Sequence, residues 1–353
     1  MSDILSIVIP ALNESGTITR VIDDANEHAK KLLRNKFEII VADNGSTDGT
    51  LAKVNKQRIA RVVNVPIRGY GAALHWGVLK SKGKYVLFAD ADLSYPFSNM
   101  GGFLKKIKDE PDLVLGSRIK GEIEENAMPF LNRYLGTPVL TSLIRFVYQI
   151  PTSDCNSGMR MVKKSFYQEL NMRNSGMEWA SELLIKTALH NGKYVEIPIV
   201  FNKDARGKKP HLSPWADGWR HLKAIVLLKP SVLNLFLYSF MILFGYFLGI
   251  SFALSFLFYS LAVTLALSLV TLRLLEFTIE GRHNFFSRML IRSPLVPITI
   301  ILSLVSAIAL ILIPDARMGT KMFIISSLSL IYIWLFLVET IKTHLVNPLP
   351  QRI

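Results

Sequence analysis

Three long stretches without a charged side chain occupy most of the last third of this chain. They run from Pro230 to Leu272, from Ser293 to Pro314 and from Met322 to Val338. A helix that crosses a bilayer needs about 20 mostly apolar residues, and buried helices of soluble proteins rarely exceed about 14. The first stretch is long enough for two crossings joined by a tight turn. We therefore predict a C-terminal bundle of four transmembrane helices, at roughly 233–252, 255–273, 294–313 and 322–340.

The distribution of positive charge predicts how these spans are oriented. The chain of 353 residues has a formal net charge of +14, to which residues 231–353 contribute +4 and the remainder +10. The loop between the second and third predicted spans carries four arginines, and Lys342 and Arg352 follow the fourth span. Because Lys and Arg concentrate on the cytoplasmic side, we expect both termini and the N-terminal domain there, in a multi-pass protein of the cytoplasmic membrane or an endomembrane.

Cysteine content supports the same compartment. Cys155 is the single cysteine of the chain, which excludes a disulfide framework and a structural cysteine-rich zinc site. A lone thiol is typical of a reducing environment. We expect no signal peptide, because the first 15 residues lack a basic segment and a long apolar stretch.

The first 230 residues alternate between strand and helix patterns. Apolar runs at 4–10, 37–42, 60–65 and 84–89 predict buried strands, and helical spacing follows at 14–33, 48–55 and 71–82. Such alternation is typical of a mostly parallel α/β sheet with helices on both faces. Ligands of these sheets lie beyond the carboxyl ends of the strands. We therefore expect the site in the loops PALNES, DNGSTDGT and DADLSYP, which follow the first, second and fourth strands.

Acidic residues in these loops are the candidate ligands. Asp90 and Asp92, two residues apart just past a strand, can converge on a hard cation such as Mg²⁺ or Mn²⁺, which takes its other ligands from substrate phosphates and water. The pattern leaves open that Asp90 caps a turn and Asp92 caps the next helix. Asp43 can contact a base or ribose, although an ordinary Asx turn is the favoured local interpretation.

Other nucleotide-binding classes do not fit the sequence. Arg68-Gly69-Tyr70-Gly71 resembles the start of a dinucleotide fingerprint, but it lacks the third glycine and does not follow the first strand. The chain contains no P-loop motif. Nucleic-acid binding, which the basic charge alone would suggest, lacks an aromatic-plus-basic module. The sequence therefore indicates that the excess of basic residues interacts with a membrane surface and with phosphorylated substrates.

Taken in order, SIVIPALNES, VADNGSTDGT, RGYGAA and FADADLSYP resemble the successive motifs of family-two glycosyltransferases with the GT-A fold, which has a Rossmann-like, mostly parallel sheet. Later segments resemble the polyprenyl-phosphate sugar synthases, the group of dolichol-phosphate mannose synthase and undecaprenyl-phosphate glucosyltransferases. These segments are GSR at 116–118, NR at 132–133, Asp154 with SGMR at 157–160, and EIPI at 196–199. The resemblance covers about residues 1–230.

The resemblance implies roles for individual residues. Asp92 would be a metal ligand, and Asp90 a second ligand or a nucleotide contact. The mannose synthases have a glutamine two residues after the second aspartate, where this chain has Ser94, so the third metal ligand is not assigned. Asp154 would orient the acceptor rather than act as a base. The remaining residues implied are Pro10, Ala11, Glu14 and Asp43 at the nucleotide, Arg118 and Arg133 at the acceptor phosphate, and Arg206 and Lys209 in a basic loop over the site.

The chemistry of such a transfer is consistent with these roles. A phosphate monoester is mostly a dianion near pH 7, because its second pKa is about 6, so it needs no strong general base. Arginine grips phosphate oxygens with its planar fork, and a divalent cation neutralises the leaving nucleoside diphosphate. Attack opposite the leaving group would invert the anomeric carbon.

A polyprenyl acceptor would require the catalytic domain to lie against the bilayer. Residues 134–150 are strongly apolar and directly follow Arg133. Residues 213–228 place Trp215, Trp219, Leu222 and Val226 at helical spacing, which is typical of a headgroup-level helix. Packing of either segment on the domain core is the alternative. We predict a cytoplasmic GT-A catalytic domain at 1–212, an interfacial amphipathic helix at 213–230 and a transmembrane domain at 231–353.

The expected function is transfer of a hexose from UDP-glucose or GDP-mannose to a polyprenyl phosphate, with Mg²⁺ or Mn²⁺ as cofactor; a homo-oligomer is possible. One alternative is a processive polysaccharide synthase, but the tryptophans at 215 and 219 are not preceded by the Q-x-x-R-W motif of that class. A second alternative is a membrane protein that binds a nucleotide sugar without catalysis.

Overall fold

A computed structural model of the chain describes residues 5–207 and 214–228. Seven strands form one sheet in the order β3-β2-β1-β4-β6-β5-β7. All neighbouring pairs are parallel except those of β6, which runs antiparallel to both β4 and β5. The strands are β1 Leu5–Ala11, β2 Phe37–Asp43, β3 Arg61–Asn64, β4 Tyr85–Phe88, β5 Leu113–Ile123, β6 Arg160–Lys163 and β7 Tyr194–Phe201.

Within the described residues, eight α-helices accompany the sheet. In chain order they are α1 Ile18–Leu33, α2 Thr50–Gln57, α3 Tyr70–Lys80, α4 Met100–Lys106, α5 Thr137–Tyr148, α6 Lys164–Glu169, α7 Trp179–Leu189 and α8 Pro214–Leu228. A π-helical turn, Asn132–Gly136, leads into α5. The predicted alternation of strands and helices over the first 90 residues is confirmed, with boundaries that differ by up to four residues.

Alternate residues of the central strands face opposite layers, because successive side chains of a strand point to opposite faces of the sheet. Ile7 and Ile9 of β1 belong to the core cluster that includes the buried face of α1. Val8 points the other way and lies against Gly77 of α3, where an added Cβ would meet the valine at 2.3 Å. Helices therefore cover both faces, and the carboxyl edge of the sheet is left for the loops.

The last described helix, α8, packs on the catalytic domain by one face. Asp217, His221, Ala224 and Ile225 are buried, and the Tyr148 hydroxyl of α5 donates to the carbonyl of Ile225. Trp219 is 65% exposed. Of the face for which we predicted membrane contact, Trp219 is thus exposed and Leu222 half-buried, whereas the side chains of Trp215 and Val226 lie outside the described residues.

The four predicted membrane spans lie outside the described residues. Within residues 5–207 and 214–228, none of the helices combines the length and the apolar character that a bilayer crossing requires.

Candidate active site

Loops that follow the parallel strands and the segment that precedes the antiparallel strand β6 meet at one edge of the sheet. The parallel strands β1, β2 and β4 end there, at Ala11, Asp43 and Phe88. Because β6 runs in the opposite direction, the segment that precedes it, 154–159, reaches the same edge. The sequence-predicted site residues in the described part of the chain lie in these four segments, in β5 (Arg118), on the turn before α5 (Arg133) and after β7 (Arg206).

The loops after β1 and β2 are held together by direct hydrogen bonds. The Asn13 side-chain carbonyl accepts from the Thr47 backbone at 2.7 Å, and the Glu14 backbone N–H donates to the Thr50 hydroxyl at 2.9 Å. Asp48 accepts from the Ser15 backbone at 3.0 Å. Burial would raise the pKa of Asp48, but its hydrogen bonds to Thr50 and Ser15 hold that pKa well below the usual range. These contacts form one rigid surface from two loops.

Asp43 is engaged in its own loop. Its carboxylate accepts from the backbone N–H groups of Gly45 at 3.0 Å and Ser46 at 3.1 Å, which is the geometry of an Asx turn. The favoured local interpretation of Asp43 is therefore confirmed. Ala11 is buried beside it, and its carbonyl accepts from Asn44 at 2.8 Å. Pro10, which precedes Ala11 in β1, is half-buried.

Asp90 and Asp92 are each oriented by a hydroxyl group. The Tyr70 hydroxyl donates to Asp90 Oδ1 at 2.8 Å. Asp92 Oδ1 accepts from both the backbone N–H of Ser94 at 2.9 Å and its hydroxyl at 2.6 Å. Burial, together with the charge of Asp92, raises the pKa of Asp90 to about 7. Two carboxylates are thus held close together against their mutual repulsion.

This pair suits a hard divalent cation. Carboxylate oxygens are the ligands that Mg²⁺ and Mn²⁺ prefer, and a cation would relieve the repulsion that raises the Asp90 pKa. Among the described residues, no group of three or more His, Cys, Asp or Glu side chains could enclose a metal ion. A cation held by Asp90 and Asp92 would therefore take its other ligands from a substrate or water. Ser94, the residue that departs from the mannose-synthase pattern, orients Asp92.

Arg206 joins the first loop to this carboxylate pair. One terminal nitrogen lies 3.1 Å from Glu14 Oε1, and the other lies 3.4 Å from Asp92 Oδ2. The Nε donates to Asp204 at 2.8 Å. The basic residue predicted over the site thus contacts three acidic side chains at once. Lys209, predicted with it, lies outside the described residues.

Arg118 and Asp154 form a buried pair. Arg118 Nε and Nη2 donate to the two carboxylate oxygens, each at 2.7 Å, and the Arg118 backbone donates to Oδ2 at 3.1 Å. Burial would raise the pKa of Asp154, but the guanidinium group holds it below its usual value. The third nitrogen of the fork, Nη1, has no hydrogen-bond partner within residues 5–207 and 214–228.

Gly158 brings the Arg118–Asp154 pair beside Asp90 and Asp92. A Cβ added to Gly158 would lie 2.6 Å from Asp90 Oδ2, and the glycine N–H donates to the Tyr95 hydroxyl at 2.7 Å. The segment that begins with Asp154 therefore packs directly against Asp90. The structure thus places the Arg118–Asp154 pair and the Asp90–Asp92 pair at one site.

Arg133 lies on the π-helical turn before α5. It precedes Thr137 and Thr141 at intervals of four residues, and these threonines contact the segment 155–156 by hydrogen bonds of 3.4 and 3.2 Å. Its guanidinium carbon stands 5.6 Å from the centre of the Tyr134 ring. Within the described part of the chain it has no acidic partner. The turn, its approach and the helix that follows carry large exposed apolar side chains, namely Phe130, Leu131, Tyr134, Leu135, Val139 and Phe146.

Several residues of the site escaped sequence reasoning. Tyr70 holds Asp90, and its flanking glycines permit the close approach of segment 174–176: Gly69 has φ +140°, and a Cβ there would lie 2.1 Å from the Ser175 carbonyl. The available signal was the pair of glycines on either side of the tyrosine. Glycine is favoured where another backbone segment approaches so closely that a Cβ would clash. Asp204 gave no local signal, and Tyr95 and Arg160 stood in the family-like segments FADADLSYP and SGMR without a role assigned to them.

Comparison with known proteins supports the same family. The profile of glycosyl transferase family 2 matches residues 6–170. A dolichyl-phosphate hexose transferase of Haloferax volcanii is 31% identical over 225 residues, which are 64% of this chain and 93% of that protein. The low-salt glycan biosynthesis hexosyltransferase Agl6 of the same organism is 31% identical over 230 residues, which are 65% of this chain but only 54% of the relative.

A solved structure shows the same fold. Glucosyl-3-phosphoglycerate synthase of Mycobacterium tuberculosis, crystallised with Mn²⁺, UDP and phosphoglyceric acid, superposes with a TM-score of 0.51 over 64% of this chain and 78% of that one, at 23% identity. The GT-A-like α/β sheet is therefore confirmed. With the family profile and the relatives, the fold identifies this chain as a glycosyltransferase of family 2, in the group of the polyprenyl-phosphate sugar synthases.

Proposed function

We propose that this glycosyltransferase moves a hexose from UDP-glucose or GDP-mannose to a polyprenyl phosphate, and that it uses Mg²⁺ or Mn²⁺. The observation that carries the proposal is the contact of Gly158 with Asp90. It brings a carboxylate pair suited to a cation beside a guanidinium group whose Nη1 has no hydrogen-bond partner among the described residues. A site for the leaving nucleoside diphosphate and a site for the attacking phosphate would then be adjacent.

The donor would lie on the surface formed by the first two loops. Pro10, Ala11 and Glu14 border it from β1, and the Asx turn of Asp43 borders it from β2. Asp90 and Asp92 would hold the cation, which supplies charge neutralisation to the departing diphosphate when it is bound. Arg206, already between Glu14 and Asp92, would add positive charge at the same place.

The acceptor phosphate would be held by arginines. Arg118 presents Nη1 while Asp154 fixes the other two nitrogens, so the guanidinium plane is preset before the acceptor binds. Both oxygens of Asp154 are occupied by Arg118, so Asp154 orients and does not accept a proton. An acceptor oxygen then attacks the anomeric carbon as the bond to the diphosphate breaks, with inversion.

The lipid tail would lie along the apolar surface around Arg133. Phe130 is 74% exposed and Phe146 is 65% exposed, a combination that is unusual for a surface in contact with water. Arg133 precedes α5, whose Thr137 and Thr141 contact segment 155–156, and it would guide the phosphate toward Arg118. Docking at the cytoplasmic face of a bilayer, through this surface and the Trp219 face of α8, is part of the proposal.

The test is transfer of radiolabelled sugar by the purified full chain to polyprenyl phosphate in detergent, from a panel of nucleotide sugars, with and without EDTA. Label in an organic-soluble product from one donor, lost with EDTA and restored by Mn²⁺, would support the proposal. Label in a long water-soluble polymer would indicate a polysaccharide synthase. Binding of a nucleotide sugar without transfer to any acceptor would indicate a protein that only binds its ligand.

A further inference from the structure

Arg160 is fully buried and has no carboxylate partner among the described residues. Its guanidinium group donates to three backbone carbonyls: Ser157 through Nε at 2.8 Å, Cys155 through Nη2 at 2.7 Å, and Ala180 through Nη1. Burying a charge is costly unless every polar atom is satisfied. Burial lowers the pKa of Arg160 accordingly. The buried guanidinium cation therefore depends on these three carbonyls to offset the cost of its burial.

The carbonyls belong to two different elements. Cys155 and Ser157 are in the segment 154–158, and Ala180 is in α7. Segment 154–158 carries Asp154 at one end, against Arg118, and Gly158 at the other, against Asp90. Within the segment, the Ser157 N–H donates to the Asp154 carbonyl at 3.4 Å, a long hydrogen bond, so the path of the segment depends largely on contacts from outside. Arg160 supplies two of them and anchors them to a helix.

The position of Arg160 in the sheet fixes where that anchor lies. In β6 it pairs with Phe88 of β4 and with Leu115 of β5. Asp90 follows Phe88 by two residues, and Arg118 follows Leu115 by three. Arg160 thus stands between β4, which leads to Asp90, and β5, which carries Arg118. A shift of the Arg160 guanidinium group would move segment 154–158, which contacts both.

We infer that Arg160 is a positioning residue for glycosyl transfer, which acts by holding segment 154–158 so that the Arg118 fork and Asp90 keep their separation. This inference rests on the proposed function for its role in catalysis. In this role the Arg160 side chain does not touch the substrate and takes no proton. Displacement of reacting groups by about 1 Å can cost about 100-fold in rate, so a modest movement of this segment is enough to matter.

Cys155 offers a readout that does not depend on substrate. It is the single cysteine of the chain, it is fully buried, and burial raises the pKa of its thiol to about 12. A thiol in this state reacts slowly with maleimides. Because the Cys155 carbonyl is an acceptor of Arg160, loosening of the segment exposes the thiol and accelerates its labelling.

The experiment compares the full-length Arg160→Lys and Arg160→Met variants with Lys164→Met. Lys164 follows β6 at its other end and donates to the Ser81 carbonyl at 2.5 Å, so its removal takes away a partly buried cation far from the segment. Four quantities are measured: the Cys155 labelling rate, the acceptor KM, kcat, and the Kd of Mn²⁺ with UDP or GDP. Thermal unfolding shows whether each variant is folded.

We expect both Arg160 variants to label faster, to raise the acceptor KM and to lower kcat, with Arg160→Lys intermediate, while the nucleotide Kd stays close to wild type. The first two loops keep their own hydrogen bonds, which is why nucleotide binding is spared. Lys164→Met should match wild type in labelling and kinetics.

Three outcomes decide the matter. Wild-type labelling and acceptor KM in both Arg160 variants would overturn the inference. A parallel loss of nucleotide binding and thermal stability would also overturn it, because it would show a general structural role. Faster labelling in a protein that transfers no sugar even as wild type would support the positioning of the segment and refute the proposed function instead.

Discussion

Asp154 receives two hydrogen bonds from the guanidinium group of Arg118, both 2.7 Å long, in a place where the carboxylate has no exposure to water. The two residues are 36 positions apart in the chain. Neither side chain keeps its charge satisfied without the other, yet Nη1 of the arginine has no hydrogen-bond partner in the part of the chain that the structure describes. Stability and acceptor binding can therefore be separated by mutation.

Arg118→Met should lower the free energy of unfolding by about 3–5 kcal/mol, because it leaves a buried carboxylate without its partner. The double variant Arg118→Met with Asp154→Leu should recover most of this loss, since two apolar side chains replace a buried ion pair. Transfer should remain absent in both. Denaturant unfolding and sugar transfer measure the two effects, and an active double variant would remove Arg118 from the acceptor site.

Gly158→Ala should abolish most transfer. The new Cβ would lie 2.6 Å from Asp90 Oδ2 and 3.0 Å from the Tyr95 ring, so either the carboxylate or the segment must move. Gly101→Ala is the matched control: it lies in α4, a Cβ there meets nothing within 4 Å, and alanine favours the helix by about 0.5–1 kcal/mol. Steady-state kinetics of both variants give the answer, and equal activity would contradict the close approach of Gly158 to Asp90.

Asp92→Asn should weaken Mn²⁺ binding and reduce transfer by at least about 100-fold, because a bound cation contributes several kcal/mol to the transition state and each 1.36 kcal/mol is about tenfold in rate. Asp109→Asn, which alters an exposed side chain paired with Lys106, should leave both unchanged. Mn²⁺ binding in the presence of UDP or GDP is measured by calorimetry. Full turnover by Asp92→Asn would exclude the cation site at this pair.

The contact between α7 and α8 should weaken in acid. The buried His221 ring accepts or donates at 2.7 Å to the Ser181 hydroxyl, and burial, with the charge of Arg160, lowers the His221 pKa to about 4. Since the pKa is about 6.5 in the unfolded chain, the unfolded state binds the proton more readily. Stability is therefore fully present above pH 6.5 and declines as the pH falls toward 4.

His221→Gln keeps a polar side chain but cannot titrate, so its thermal unfolding should change less between pH 7 and pH 5 than that of the wild type. Differential scanning at several pH values compares the two proteins. Identical slopes would show that His221 is not the group responsible.

The first four strands of the sheet and three of the four site segments could be predicted because they are local in sequence. Apolar runs mark β1, β2 and β4, and acidic residues at their ends mark the loops, so Asp90 and Asp92 are recognisable from a few neighbouring letters. The favoured reading of Asp43 as an Asx turn followed from the glycine and serine beside it. Such signals need no knowledge of the tertiary structure.

The interactions that complete the site are distant in sequence and have no local pattern. Arg206 reaches Glu14 across 192 positions, and Arg160 stands in the SGMR segment, whose letters do not indicate its contact with the Ala180 carbonyl. The tertiary fold decides which distant segment lies beside a buried guanidinium group, and the residues next to the arginine in sequence do not indicate it. The antiparallel direction of β6, which brings segment 154–158 to the site, likewise follows from the completed sheet.

The antiparallel strand also divides the site residues into two groups. Asp43, Asp90 and Asp92 lie at or after the ends of β2 and β4, whereas Arg118 lies in β5 and Asp154 on the approach to β6. The two groups approach each other at Gly158, where a Cβ would lie 2.6 Å from Asp90 Oδ2. Under the proposed function, substitutions in the second group would change which acceptor receives the sugar, while the first group would still bind the same activated donor.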